Sequence, residues 1–338
     1  MKKELLVLLL AAVAAPLSRA KTISVDPRDP TALHTLREAA PLLKPGDTLW
    51  LVPGSGPYRE ELSIPASGRP GEPIVVEGNG NEVTGFDPLP FHGGVARPPV
   101  PYPFVLRHLG KRVPEETAGQ FGESVTYDAS ANRLTLAPGA SPDGWEISTR
   151  KFAVRIRNVS NQSYRHLVAS GSLNDGFNLH GEGEALSFVE VTGCQNLDEG
   201  FSAHETIQCE IRDSRFFEND NGILSGQNTT TRMENVDLRD NLGIGLGFNG
   251  KAVVQARGVR VWNNGMVQLL LRNGVTADFR NVRVFRNPYR SRRWVSYQES
   301  ARRINPVDTE IGREITWQGD PPGISGQTAP TSPEPSPK

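Results

Sequence analysis

"LSFVEVTGCQN" (186–196), "IRDSRFFEND" (211–220), "MENVDLRDN" (233–241), "ARGVRVWNN" (256–264) and "FRNVRVFRN" (279–287) repeat one pattern. Their last asparagines, Asn196, Asn219, Asn241, Asn264 and Asn287, fall at intervals of 23, 22, 23 and 23, and Asn174 stands 22 residues upstream of the first. Between them lie two short strand-like runs separated by Gly, Asn and Asp, with no 3.6-residue apolar period, so a helical repeat is excluded. A chain that returns to the same point about every 23 residues can bury its apolar rows only by stacking coil on coil. This predicts an all-β single solenoid, a parallel β-helix with coils of 22–24 residues. Val236, Val259 and Val282 should point inward, as should Leu238, Val261 and Val284, while Asp237, Arg260 and Arg283 decorate the outside. The turn asparagines should bond amide to amide up the stack.

Working outward, residues 150–290 carry the repeat, 86–149 interrupt it, and 21–85 precede it. The interruption opens with the proline-rich "FDPLPFHGGVARPPVPYPF" (86–104), and "SVTYDASANRLTLAPG" (124–139) reads as a hairpin with its loop at Asp128–Asn132. We read 86–149 as an irregular insertion carrying Tyr102, His108, Lys111 and Arg112. Upstream, Leu33, Leu36, Ala40 and Leu43 lie on one helical face, predicting a helix that plugs the end of the stack. After Arg290 the pattern dissolves; 291–318 are expected to cap the stack, and the Pro/Ser/Thr-rich 319–338 to be disordered.

"KPGDTLWLVPGSGPYREELSI" (44–64), followed by "GRPGEPIVVEGNGNEVTG" (68–85), resembles the opening of the right-handed parallel β-helix superfamily, the pectin-lyase-like fold. The resemblance spans roughly 24–84 and 150–290. It implies a right-handed coil with an N-terminal capping helix, and it implies no single activity, because the superfamily hosts several.

The ends and the composition narrow the classes. "MKKELLVLLLAAVAAPLSRA" (1–20) has two lysines, an apolar run and a small-x-small ending, the layout of a secretory signal peptide, so a secreted or periplasmic protein is expected. No later run is long and apolar enough to span a membrane. Without residues 1–20 the chain has 34 basic and 37 acidic side chains, which gives no basic face for nucleic acid. Cys194 and Cys209 occupy different positions in successive coils and are expected as two buried thiols rather than a disulfide. Nothing calls for an oligomer; a monomer is expected.

Two neighbouring segments carry the chemistry: "NDGFNLHGEGE" from Asn174 and "NLDEGFSAHE" (196–205). Aligned on Gly176 and Gly200, they stack Asp175 with Glu199, Asn178 with Ser202 and His180 with His204. The histidine row should continue as Gly226 and Gly247, leaving a trough edged by Asn228, Asn249 and Arg272. Three readings compete. Cleavage of an acidic polysaccharide by β-elimination needs a base, His204 or His180, and positive charge beside the substrate's carboxylate. Arg272 could supply that charge, as could a Ca2+ held by Asp175, Asp198 and Glu199, with Asp220 nearby. Hydrolysis would use paired carboxylates drawn from Asp175, Asp198, Glu199 and Glu205. The third reading is a face that binds glycan without catalysis.

The lyase reading comes first, ahead of glycan binding without catalysis and of hydrolysis or uronate epimerisation, with His204, His180, Glu199 and Asp198 as catalytic candidates. Asn178, Ser202, Glu205, Asn228, Asn249 and Arg272 are the substrate-binding candidates. Motifs of the superfamily's enzymes do not decide the matter. The polygalacturonase set Asn-Thr-Asp, Asp-Asp, Gly-His-Gly and Arg-Ile-Lys is absent. "SAHE" (202–205) is similar in outline to the Asp-Pro-His-Asp site of alginate epimerases, with Ser202 where that site has an acid. Lys251 is the only lysine from 152 to 290, so the Lys/Arg pairs of chondroitinase-B-like lyases are missing.

Overall fold

The computed structural model describes residues 20–286, 307–319, 321–322 and 324–325. Apart from Ala20, the expected leader lies outside these residues, as do Asn287, all of 291–306 and most of the expected disordered tail. Three parallel sheets form the solenoid. Sheet 1 has ten strands, from Thr22–Val25 to Thr316–Trp317; sheet 2 has eight, from Glu82–Thr84 to Ile324–Ser325; sheet 3 has seven, from Val154–Arg157 to Val307–Ile311. From Val154 onward each coil visits sheet 3, then sheet 1, then sheet 2. Val307–Ile311, Thr316–Trp317 and Ile324–Ser325 pair in parallel with the strands before them. The stack therefore continues beyond residue 290, where the pattern fades: among the described residues no later strand pairs with Val307–Ile311, and Val307 and Ile311 are exposed.

Inward rows are apolar because alternate residues of a strand face one side. Val236, Val259, Leu238, Val261 and Val284 are fully buried and Val282 nearly so, while Arg260 and Arg283 are exposed on the outside. Phe177, Phe201, Phe188 and Phe216 interlock along the core, three of their contacts edge to face and Phe177–Phe201 tilted, with centroids 5.0–6.1 Å apart. At the turn after sheet 2 the asparagine ladder forms. Asn196 Nδ2 donates to Asn219 Oδ1 at 2.9 Å, Asn219 to Asn241 at 3.1 Å and Asn241 to Asn264 at 2.8 Å. The ladder ends on Gln268 at one end and on Ser172 at the other. Asn174 is not a rung: it sits two residues past the turn and donates to Asp198 instead.

The N-terminal helix is short, Leu36–Ala39 with a 3-10 turn Ala40–Leu42, because Pro41 has no N–H to continue it. A Thr35/Glu38 capping box starts it, and the Glu60 carboxylate accepts from the N–H groups of Leu36 and Arg37. Leu36, Ala39, Ala40 and Leu43 are buried against the end of the stack.

Residues 86–148 are more ordered than their composition suggests. They form a four-stranded and a five-stranded antiparallel sheet, including the hairpin Val125–Asp128 with Arg133–Leu136. A separate core holds them, with Phe91, Phe104, Phe121, Leu134 and Trp145 buried. Its base is fixed by Arg107, which bonds Glu82 and Glu146 at 2.6 Å each and lies over the Phe86 ring. The cysteines are free and buried; burial pushes the Cys209 thiol up to about 12.

Candidate functional site

The strands Phe177–His180 and Glu199–Ala203 deliver the site, and their register stacks Asn178 on Ser202 and Leu179 on Ala203. The residue after Ala203 is His204, and its ring lies parallel to that of His180, with centroids 4.2 Å apart and planes at 10°. Burial, and then the neighbouring His180, hold the His204 imidazole below its ordinary value, so it is neutral near pH 7.

At the other end of the same strands, Asp175, Asp198 and Glu199 are all buried, and their carboxylate oxygens lie within 4.8 Å of one another. Asp175 Oδ2 accepts from Asn178 Nδ2 at 2.6 Å and from Ser202 Oγ at 2.5 Å. Asn221 Nδ2 donates to Glu199 Oε1 at 3.2 Å and to Asp220 Oδ2 at 3.3 Å, extending the cluster one coil further. Burial first, then Asp175 and Asp198, raise the Glu199 carboxyl well above its ordinary range. Such a cluster stays folded at neutral pH by keeping a proton or by taking a cation. Its all-oxygen donor set suits a hard divalent ion such as Ca2+.

The structure brings eight of the predicted residues onto one edge of the solenoid: Asp175, Asp198, Glu199, Asn178, Ser202, His180, His204 and Glu205. It rearranges three of their roles. Asn178 and Ser202 belong to the outward row but are buried, since both turn to the Asp175 carboxylate. Glu205 curls back to the preceding coil and pairs with His180.

The expected trough does not form. Gly247 falls in the row of Asn178, Ser202 and Leu224, not in the histidine row, which runs His180, His204, Gly226, Asn249, Arg272. A Cβ on Gly226 would lie 2.5 Å from Asn249 Oδ1 and one on Gly247 2.3 Å from Leu224 Cδ2, so neighbouring side chains already fill both spaces. Arg272 stands three coils from His204, ~14 Å at ordinary strand spacing, and is held by Glu310 at 2.5 Å. Asn228 is exposed, its N–H on the Glu205 carbonyl at 2.9 Å.

Arg112 and Gln227 are the residues that the sequence did not place here. Arg112, from the insertion, donates to the carbonyls of Asn196 (2.9 Å) and Glu218, at the turns that precede Asp198 and Asp220. Burial lowers its guanidinium pKa even though Asp220, Glu218 and Glu115 favour its charge. Gln195 also reaches the insertion, donating to Gly110 O at 3.2 Å. The insertion therefore walls the acidic end of the edge. Gln227 Oε1 accepts from the Glu205 N–H. Of the other insertion residues, His108 stacks on Trp145 with centroids 4.3 Å apart, and Tyr102 donates to Glu115 at 2.9 Å.

A scan against protein families and a search of curated proteins each find no match. Solved structures do match. XylC in complex with xylose is 10% identical with a TM-score of 0.51, over 88% of this chain and 68% of that one. Pectate lyase Pel9A is 14% identical with a TM-score of 0.50, over 94% of this chain and 83% of that one. At such identities the likeness concerns architecture: this chain has the right-handed parallel β-helix fold of the pectin-lyase type.

Proposed function

We propose that the protein is an exported carbohydrate-active enzyme that cleaves an acidic polysaccharide by β-elimination at the edge formed by residues 174–206. One observation carries this reading: a stacked histidine pair and a buried triad of carboxylates stand at opposite ends of the same two strands, with Asn178 and Ser202 between them. Along a strand the two residues from Asn178 to His180 span ~7 Å, a distance that one sugar unit can bridge. β-Elimination begins with removal of the proton on the carbon beside a uronate carboxylate, for which a neutral imidazole is a suitable base. Asp175, Asp198 and Glu199 would hold a divalent cation, which would supply positive charge beside that carboxylate. The pectate lyase of the same fold is consistent with this class of substrate. Hydrolysis fits less well, because it asks two carboxyls to flank a cleft and these three pack against one another.

A second reading, a glycan-binding β-helix without catalysis, is favoured by the filled spaces at Gly226 and Gly247 and by the pairing of Arg272 with Glu310. The experiment that separates them is ultraviolet absorbance of unsaturated product from pectic, alginate and glycosaminoglycan polymers, with and without Ca2+. The enzyme reading expects Ca2+-dependent absorbance that disappears in His180→Ala/His204→Ala. Polymer binding without any product would establish the second reading instead.

A further inference from the structure

We propose that Glu205 is a positioning residue that makes His180, and not its stacked neighbour His204, the proton acceptor of this site. The acceptor role rests on the lyase reading above; the positioning of the ring does not.

Glu205 adopts φ +52°, a left-handed conformation that a non-glycine residue takes at a cost. The turn sends its carboxylate back one coil, where it accepts the Gly181 N–H at 2.7 Å and faces His180 Nδ1 at 3.2 Å from both oxygens. The next coil pins the turn: the Glu205 N–H donates to Gln227 Oε1, and its carbonyl accepts from the Asn228 N–H at 2.9 Å. Partial burial, which would raise the carboxyl, is outweighed by the Gly181 and His180 bonds, and Glu205 is held below its ordinary value. A charged carboxylate only accepts, so Nδ1 of His180 carries the proton. The neutral ring then offers its lone pair on Nε2.

His204 is differently placed. No carboxylate stands at hydrogen-bond distance from its ring among the described residues, and it meets His180 face to face. The other charged groups around His180 are Arg157, its in-register neighbour on the preceding coil, and Glu182, two residues along its own chain. In the reaction, Nε2 of His180 takes the proton from the carbon beside the uronate carboxylate. The freed electron pair forms the carbon–carbon double bond as the bond to the leaving sugar oxygen breaks. That oxygen takes a proton from solvent, and His180 returns its own to solvent. Between those steps the imidazolium is paired with Glu205, a partner that His204 lacks.

The test is long-range proton–nitrogen correlation NMR of the histidine rings in the intact protein at pH 8, combined with kinetics on whichever polymer the panel identifies. His180 is expected as the Nδ1–H tautomer. In Glu205→Ala it should change to the Nε2–H form while His204 keeps its signals. Glu205→Gln keeps an acceptor and should keep the tautomer. His180→Gln should lower kcat about 100-fold or more, and His204→Gln less than about 10-fold. An Nε2–H tautomer in the unmodified protein, no change in Glu205→Ala, or a larger loss in His204→Gln than in His180→Gln would overturn the proposal. A tautomer that responds to Glu205 in a protein that cleaves no polymer would leave the positioning standing and remove the lyase reading.

Discussion

Coils 174–206 and coils 221–272 share one backbone and differ almost entirely on the outside of sheet 3. Where the first pair places Asp175 and Glu199, the register continues through Asn221 to Ile244 and Val267. Where it places Asn178 and Ser202, the later coils have Leu224, Gly247 and Leu270; where it places the two histidines, they have Gly226, Asn249 and Arg272. Ile244, Val267 and Leu270 form an apolar cluster with Leu224. Inside, both regions are the same stack of Val, Leu and Phe beside the same asparagine ladder. The fold thus sets the spacing of side chains, about 4.8 Å from coil to coil, and leaves the chemistry to whatever occupies the outward rows.

The largest effect should come from removing the acids. Asp175→Asn/Glu199→Gln is expected to lower product formation by about 100- to 1,000-fold, as removal of charge stabilisation does elsewhere. Arg272→Ala, on the later coils and tied to Glu310, should leave the rate within about twofold. Equal losses in the two would erase the distinction between the regions.

The shared interior is probed by Asn241→Ala. It removes a ladder rung with bonds to Asn219, Asn264 and the Phe216 carbonyl. Leaving those buried groups without partners should cost about 3 kcal/mol, read as a lower denaturant midpoint, with the site's chemistry otherwise intact.

A pH series sharpens the contrast further. The folded pKa of Glu199 is raised above the unfolded value of about 4.5, so between those two values the folded state binds the extra proton. Stability is then lost as pH rises above the unfolded value. In EDTA the melting temperature should fall across that window, Ca2+ should restore it, and Glu199→Gln should flatten the curve. The smallest effect is Gly247→Ala. The new methyl would lie 2.3 Å from the tip of Leu224 before relaxation and at ordinary contact distance, 3.4 Å, from Ile244 Cγ2, so a Leu224 rotamer change should limit the cost to about 1 kcal/mol, seen as a small midpoint shift.

The parts legible in the sequence are those that every coil repeats. An inward valine and a turn asparagine have one role each, and their recurrence reveals it. The acids and histidines were legible as neighbours for the same reason, since Gly176 and Gly200 fix their register. What lay beyond was less visible because coils differ by a residue in length. His204 to Gly226 is 22 residues and Gly226 to Asn249 is 23, so counting by type put Gly247 in the wrong row. Arg112 was hidden by distance along the chain: its partners Asn196 and Glu218 lie 84 and 106 residues away. The turn of Glu205 toward His180 depends on a left-handed backbone at a residue that is not glycine, which composition does not announce.

The chemistry depends on whether the acidic row of the first region works as a cation site while its counterpart in the second does not. Calorimetric titration of Ca2+ into the metal-stripped protein at pH 8 tests this most directly. Saturable uptake of one ion is expected, abolished in Asp175→Asn/Glu199→Gln and retained in Arg272→Ala. No saturable heat, or uptake that survives the double substitution, would contradict it.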